Sequence, residues 1–182
     1  MSKKLFLLPA LILGAFLVFT PSCGDEADCT DVDCGANGIC DAGNCNCDPG
    51  YELGTDDKCS VETRTKIVGN YLVNETCSNS GTAPAYNVTI GNGTSVSEVL
   101  MLGFYGPSAQ GGFLAPVKAT VDGNTITIAR QEPDNDDIFV EGNGTYSTSG
   151  TTTVLTITYK VTDETVSPIE TNQCTNVIFT KQ

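Results

Sequence analysis

Residues 153–163 read "TVLTITYKVTD". In an extended chain Leu155, Ile157, Tyr159 and Val161 share one face, and Thr156, Thr158, Lys160 and Thr162 share the other. Strict alternation of apolar and polar side chains is the period of a strand with one buried face. "TITIA" at 125–129 alternates in the same way. It follows "VDGN" at 121–124, whose Asp-Gly pair suits the positive φ of a tight hairpin turn. Outward from these two stretches, strand signals recur near 66–76, 85–91, 96–105, 115–121, 124–130, 138–147, 152–162 and 174–181. Thr, Val, Ile, Gly and Asn dominate this part of the chain, and long runs of helix-forming residues are missing.

Eight strands joined by short turns predict a mainly β domain over 66–182, an antiparallel meander that closes as a barrel; a β-sandwich is the alternative. The inward set is Tyr71, Val73, Tyr86, Val88, Ile90, Val117, Val121, Ile126, Ile128, Val140, Leu155, Ile157, Tyr159, Val161, Val177 and Phe179. In a closed meander the first and last strands are antiparallel neighbours. Cys77 ends the first and Cys174 starts the last, so closure predicts a Cys77–Cys174 disulfide across the seam. An eight-stranded barrel is either filled by side chains or holds one small ligand. Bulky residues on most strands favour filling; Tyr71, Tyr86 and Tyr159 are the candidate pocket residues of an open interior.

The chain has nine cysteines, an odd number, and six of them crowd into residues 29–59, "CTDVDCGANGICDAGNCNCDPGYELGTDDKC". Val32, Ile39, Tyr51 and Leu53 are the only large apolar side chains there, too few for a core, so the segment needs covalent staples. Turn signals are dense, and spacing alone allows 15 pairings. Paired C-x2-C knuckles are absent and the chain has no histidine, which argues against a zinc site. Cysteine gaps and "CNCDPGY" at 45–51 resemble an EGF-like module of the compact tenascin type. That resemblance implies the pairs Cys29–Cys40, Cys34–Cys45 and Cys47–Cys59. Some EGF-like modules bind calcium through acids before the first cysteine. Here Asp25, Glu26 and Asp28 precede Cys29, but Ala27 departs from that pattern, and the acids of 25–59 read as a solvated face. "SVETRT" at 60–65 is a short polar linker, and the two modules are expected to fold independently.

Lys3 and Lys4 precede "LFLLPALILGAFLVF" at 5–19. As a helix this run reaches about 22 Å, short of the ~30 Å hydrocarbon core. A basic start and a short apolar run describe a signal peptide over 1–22. "FTPSC" at 19–23 resembles the lipobox of bacterial lipoproteins, in the looser form found in Bacteroidetes, with Thr20 in place of the usual Leu and an atypical Pro21. The resemblance implies cleavage after Ser22 and a lipid such as palmitate on Cys23. It makes 23–28 a lipidated tether, and "GDEAD" is similar to surface-export tags. Cys23 is then the odd cysteine, and the other eight pair in an exported, oxidising compartment.

The β domain resembles the lipocalin-like domains of small Bacteroidetes lipoproteins over 66–182. The resemblance rests on "IVGNYLVNETC" at 67–77, "VKATVDGNTITIARQ" at 117–131, "VEGNGTYS" at 140–147 and "LTITYKVTD" at 155–163. Gly69-Asn70-Tyr71 is similar to the Gly-x-Trp opening of lipocalins with Tyr for Trp, and Lys181 stands where that family often has Arg.

Nine basic and 22 acidic residues give a formal charge of −13; loss of Lys3 and Lys4 on cleavage makes it −15. This argues against nucleic-acid binding, which neutralises phosphates with Lys and Arg. No histidine is available as a base, no S-x-x-K pair occurs, and "GPSAQGG" at 106–112 lies between strands rather than before a helix. "EPDNDD" at 132–137 reads as a soluble loop, with a cation site as its rival. The sequons at Asn74, Asn87 and Asn92 matter only in a eukaryotic secretory path. No metal, cofactor or enzymatic activity is expected. Two functions remain. One is an outer-membrane lipoprotein, held to the membrane by lipid on Cys23 and surface exposed, that contacts protein or glycan. The other is binding or scavenging of a small apolar ligand inside the barrel.

Overall fold

The computed structural model describes residues 29–106 and 111–182. The segments expected to be a signal peptide (1–22) and a lipidated tether (23–28), with Cys23, lie outside the described residues, as do 107–110 of the "GPSAQGG" stretch. The disulfide-rich region comes first. β1 (Gly38–Asp41) and β2 (Asn44–Cys47) form a hairpin, and β3 (Tyr51–Leu53) pairs with β4 (Cys59–Glu62). Cys29–Cys40, Cys34–Cys45 and Cys47–Cys59 staple these two short ladders together. Ala42 and Gly43, at φ 47° and 80°, make the tight turn between β1 and β2.

A single 3₁₀ turn, Thr63–Lys66, leads into the larger domain. Ten strands follow: β5 (Gly69–Asn74), β6 (Thr76–Cys77), β7 (Gly81–Thr82), β8 (Tyr86–Asn92), β9 (Glu98–Leu102), β10 (Val117–Asp122), β11 (Thr125–Gln131), β12 (Ile138–Ser149), β13 (Thr152–Asp163) and β14 (Glu170–Lys181). Eight of them close an antiparallel barrel in the order β5-β8-β9-β10-β11-β12-β13-β14, with β14 returning to β5. It is one continuous closed sheet, not two facing ones. β6 and β7 form a small hairpin carried on the first residues of β14. Every member of the inward set read from the sequence is buried.

β14 departs from simple alternation. Asn176 takes φ 51°, and the register to β13 shifts between Ile157 and Tyr159. The extra residue of this bulge turns both Cys174 and Val177 inward, three positions apart. β12 has its own device. Its inward positions run Val140, Gly142, Gly144 and Tyr146. A Cβ on Gly142 would stand 2.5 Å from Tyr159 Cβ, and one on Gly144 would meet the Thr156 carbonyl oxygen. The two missing side chains let the sheet curl tightly over Ile157 and Tyr159. Gly142→Ala is therefore expected to lower stability by about 1–3 kcal/mol through overpacking. An unchanged urea midpoint in that variant contradicts this account of the curl.

The 3₁₀ turn seals the lower end of the barrel, where Thr63 and Ile67 are fully buried. Lys181 Nζ donates to Lys66 O at 3.1 Å, with its stem laid across Gly69. Gly69 has φ 149°, and any Cβ there would lie 2.7 Å from Lys181 Cε. Residues 60–65 are not free chain. Thr63 N donates to Gly50 O at 2.9 Å, and Lys66 pairs with Glu52 at 2.6 Å. Arg64 Nη1 donates to Gly93 O and Ser95 O at 3.2 and 2.5 Å, while its Nε holds Glu62 at 2.8 Å. The small region is thus bolted to the lower end of the barrel through backbone carbonyls as well as ion pairs.

Candidate functional site

The opposite, upper end of the barrel holds the feature that alternation of greasy residues does not account for. In β5 Tyr71 and Val73 point inward, and the same two-residue step carries Glu75 and Cys77 inward after the strand kinks. Glu75 is 7% exposed. Buried carboxylates are rare unless hydrogen-bonded. Neighbouring strands supply the donors. Tyr86 opens β8 opposite Val73, and Tyr159 stands on β13 opposite Cys174, which in turn faces Cys77. Tyr86 Oη donates to Glu75 Oε2 at 2.6 Å, and Tyr159 Oη donates to the same oxygen.

Burial, and then the charge on Glu75, push the Tyr86 phenol far above its ordinary range. Burial does the same to Tyr159, helped by Tyr86 and Glu75. Both phenols therefore stay protonated, as donors, throughout the neutral range. Tyr71 is raised by burial alone and turns to the other end, where its hydroxyl donates to Ile67 O at 2.7 Å. The structure thus brings two of the three candidate pocket tyrosines together and separates the third. All three are packed in the core.

Cys77 and Cys174 close their disulfide beside this cluster. Carboxylate and sulfur atoms of Glu75, Cys77 and Cys174 lie within 4.8 Å of one another. Both sulfurs are consumed by the bridge, so the group offers a metal one ligand rather than three. Aromatic rings enclose it. Phe104 lies 4.6 Å from Tyr159 and 5.9 Å from Phe179, and Tyr105 and Tyr159 form a T-shaped pair with ring centroids 6.1 Å apart. Tyr105 has φ 65°, uncommon for a residue with a side chain. Its hydroxyl accepts a hydrogen bond from Asn172 Nδ2 at 2.6 Å.

Outside Tyr105 opens a surface cavity of about 310 Å³, walled by Tyr105, Ile138, Val161, Asp163, Glu170 and Asn172, among others. The acidic stretch 132–137 serves its neighbours instead. Asp134 accepts the backbone N–H of Leu114 and Ala115 at 2.9 and 2.7 Å, and Glu132 accepts that of Asp137 at 2.7 Å. Glu75 was legible as a strand-period position, since 71, 73, 75 and 77 step by two. Its place inside "NET", at the end of a strand, masked it. No protein-family model, no curated protein and no solved structure matches this chain.

Proposed function

We propose that this is a non-enzymatic, exported lipoprotein of the bacterial outer membrane, anchored by lipid on Cys23, whose barrel contacts protein or glycan at the cell surface. The observation that carries the reading is the direction of the chain. Cys23 stands six residues before Cys29, and the disulfide-rich region is fixed to the lower end of the barrel. The upper rim is the end of the barrel opposite this attachment, and it carries the exposed side chains Leu102, Leu114, Val166 and Ile169. Four of the six exposed large apolar side chains among the described residues lie at this end, which suits a contact surface; Ile39 and Leu53 lie on the disulfide-rich region.

Further support comes from the cysteines. The four bridges use every cysteine except Cys23. The order of pairing in 29–59 is that of an EGF-like module, which here acts as a stiff acidic spacer. The Lys181 contact to the 3₁₀ turn supports the lipocalin likeness of the barrel. An interior packed with tyrosine, phenylalanine and branched side chains favours a display body over a carrier of apolar ligands. Cys23→Ser is expected to shift the protein from the membrane fraction to the soluble exported fraction. Retention of that variant in the membrane, with no lipid mass on the native protein, overturns the anchor.

A further inference from the structure

We propose that the cavity beside Tyr105 binds a small quaternary ammonium compound. The cavity has the two surfaces such a cation needs. Tyr105 contributes a ring, with Ile138 and Val161 as apolar neighbours, while Asp163 and Glu170 contribute negative charge. A quaternary ammonium has no N–H to satisfy, so a ring face and an apolar floor suit it, and attraction to the ring adds to that of the carboxylates.

Asp163 Oδ1 accepts the backbone N–H and the hydroxyl of Thr165, but among the described residues neither Asp163 nor Glu170 makes an ion pair. Among the described residues, no basic side chain lines the cavity. Asp163 and Glu170 stand directly opposite each other across β13 and β14, a placement that costs stability when both partners are like-charged. Arg130, which pairs with Glu164 at 2.5 Å, is also taken up by the Phe139 ring, 3.7 Å away. Tyr105 packs against Tyr159, which donates to a further carboxylate in the core. Glu75 is buried, and among the described residues it makes no ion pair; its two phenol donors carry no charge. Tyr105, which lines the cavity, thus stands two side chains from Glu75. A bound organic cation relieves the like-charge pairing of half-buried Asp163 with exposed Glu170. Among the described residues no third metal ligand joins these carboxylates, so a bare metal ion suits the cavity less well.

The probe pair is choline and 3,3-dimethyl-1-butanol, which share a shape and differ in charge. Each is titrated into the oxidised, exported protein by calorimetry or amide NMR shifts. Choline is expected to saturate the site, and the neutral analogue to bind at least ~10-fold more weakly. The double variant Asp163→Asn/Glu170→Gln alters only surface groups and is expected to weaken choline by ~10-fold or more with the unfolding midpoint retained. Tyr105→Leu is expected to weaken choline too, and the shifted amides should cluster on 105, 138, 161–163 and 170–172. Equal affinity for the two probes overturns the proposal. So does no choline binding up to about 10 mM, or choline affinity untouched by the double variant. The site does not depend on the lipid anchor, so either proposal can fail alone.

Discussion

Replacing Cys77 and Cys174 together with alanine is expected to lower the unfolding free energy of the barrel by about 4 to 5 kcal/mol, the chain-entropy value for a loop of this length. The bond spans 97 residues, nearly the whole domain. It lies at the seam, where the ladder between β14 and β5 runs only from Ile178–Asn74 to Lys181–Tyr71. Without it, the unfolded chain gains the freedom of that large loop, and β6 loses its tie to β14. Urea unfolding of the oxidised proteins measures the difference. The bridges within 29–59 should stay intact, since they involve none of these atoms. A loss below about 1 kcal/mol means the seam is held by its ladder and packing instead.

The second large effect is expected at Glu75. Glu75→Ala removes the shared acceptor of Tyr86 and Tyr159, whose hydroxyls are left without it in the core. An unsatisfied buried donor costs about 1–3 kcal/mol, so the variant should lose roughly 3–5 kcal/mol once the vacated volume is included. Tyr86→Phe or Tyr159→Phe alone should cost less, because the remaining phenol still meets the carboxylate. A triple change, Glu75→Leu with both tyrosines to phenylalanine, removes donors and acceptor together. It should recover most of the loss, since replacing both partners of a buried polar pair by apolar groups is close to neutral. If Glu75→Ala is tolerated within about 1 kcal/mol, the carboxylate is not the acceptor that holds the two strands.

These two sites differ in how far they can be read before folding. The barrel strands are legible because Leu155, Ile157, Tyr159 and Val161, and their counterparts on the other strands, obey a period of two and are all buried. The seam bridge follows from closure. The spacing from Cys174 to Val177 hides the bulge at Asn176, since alternation says nothing about where one residue is skipped. "SVETRT" reads as a short polar linker, and within it Thr63 is fully buried and Arg64 grips two carbonyls of the β8–β9 connection. Polar residues that work through backbone groups of distant segments leave no periodic trace. Tyr86 and Tyr159 stand out as inward polar-tipped rings, while their partner Glu75 emerges only when the strand period is followed past Asn74.

The central claim is that two separately cross-linked bodies leave one cysteine for lipid. Mass mapping of the non-reduced protein extracted from membranes tests it most directly. It should give linked peptides for Cys29–Cys40, Cys34–Cys45, Cys47–Cys59 and Cys77–Cys174, with a new N-terminus at Cys23 carrying the mass of a diacylglyceryl group. A peptide joining Cys23 to any other cysteine, or Cys77 to any cysteine of 29–59, contradicts it.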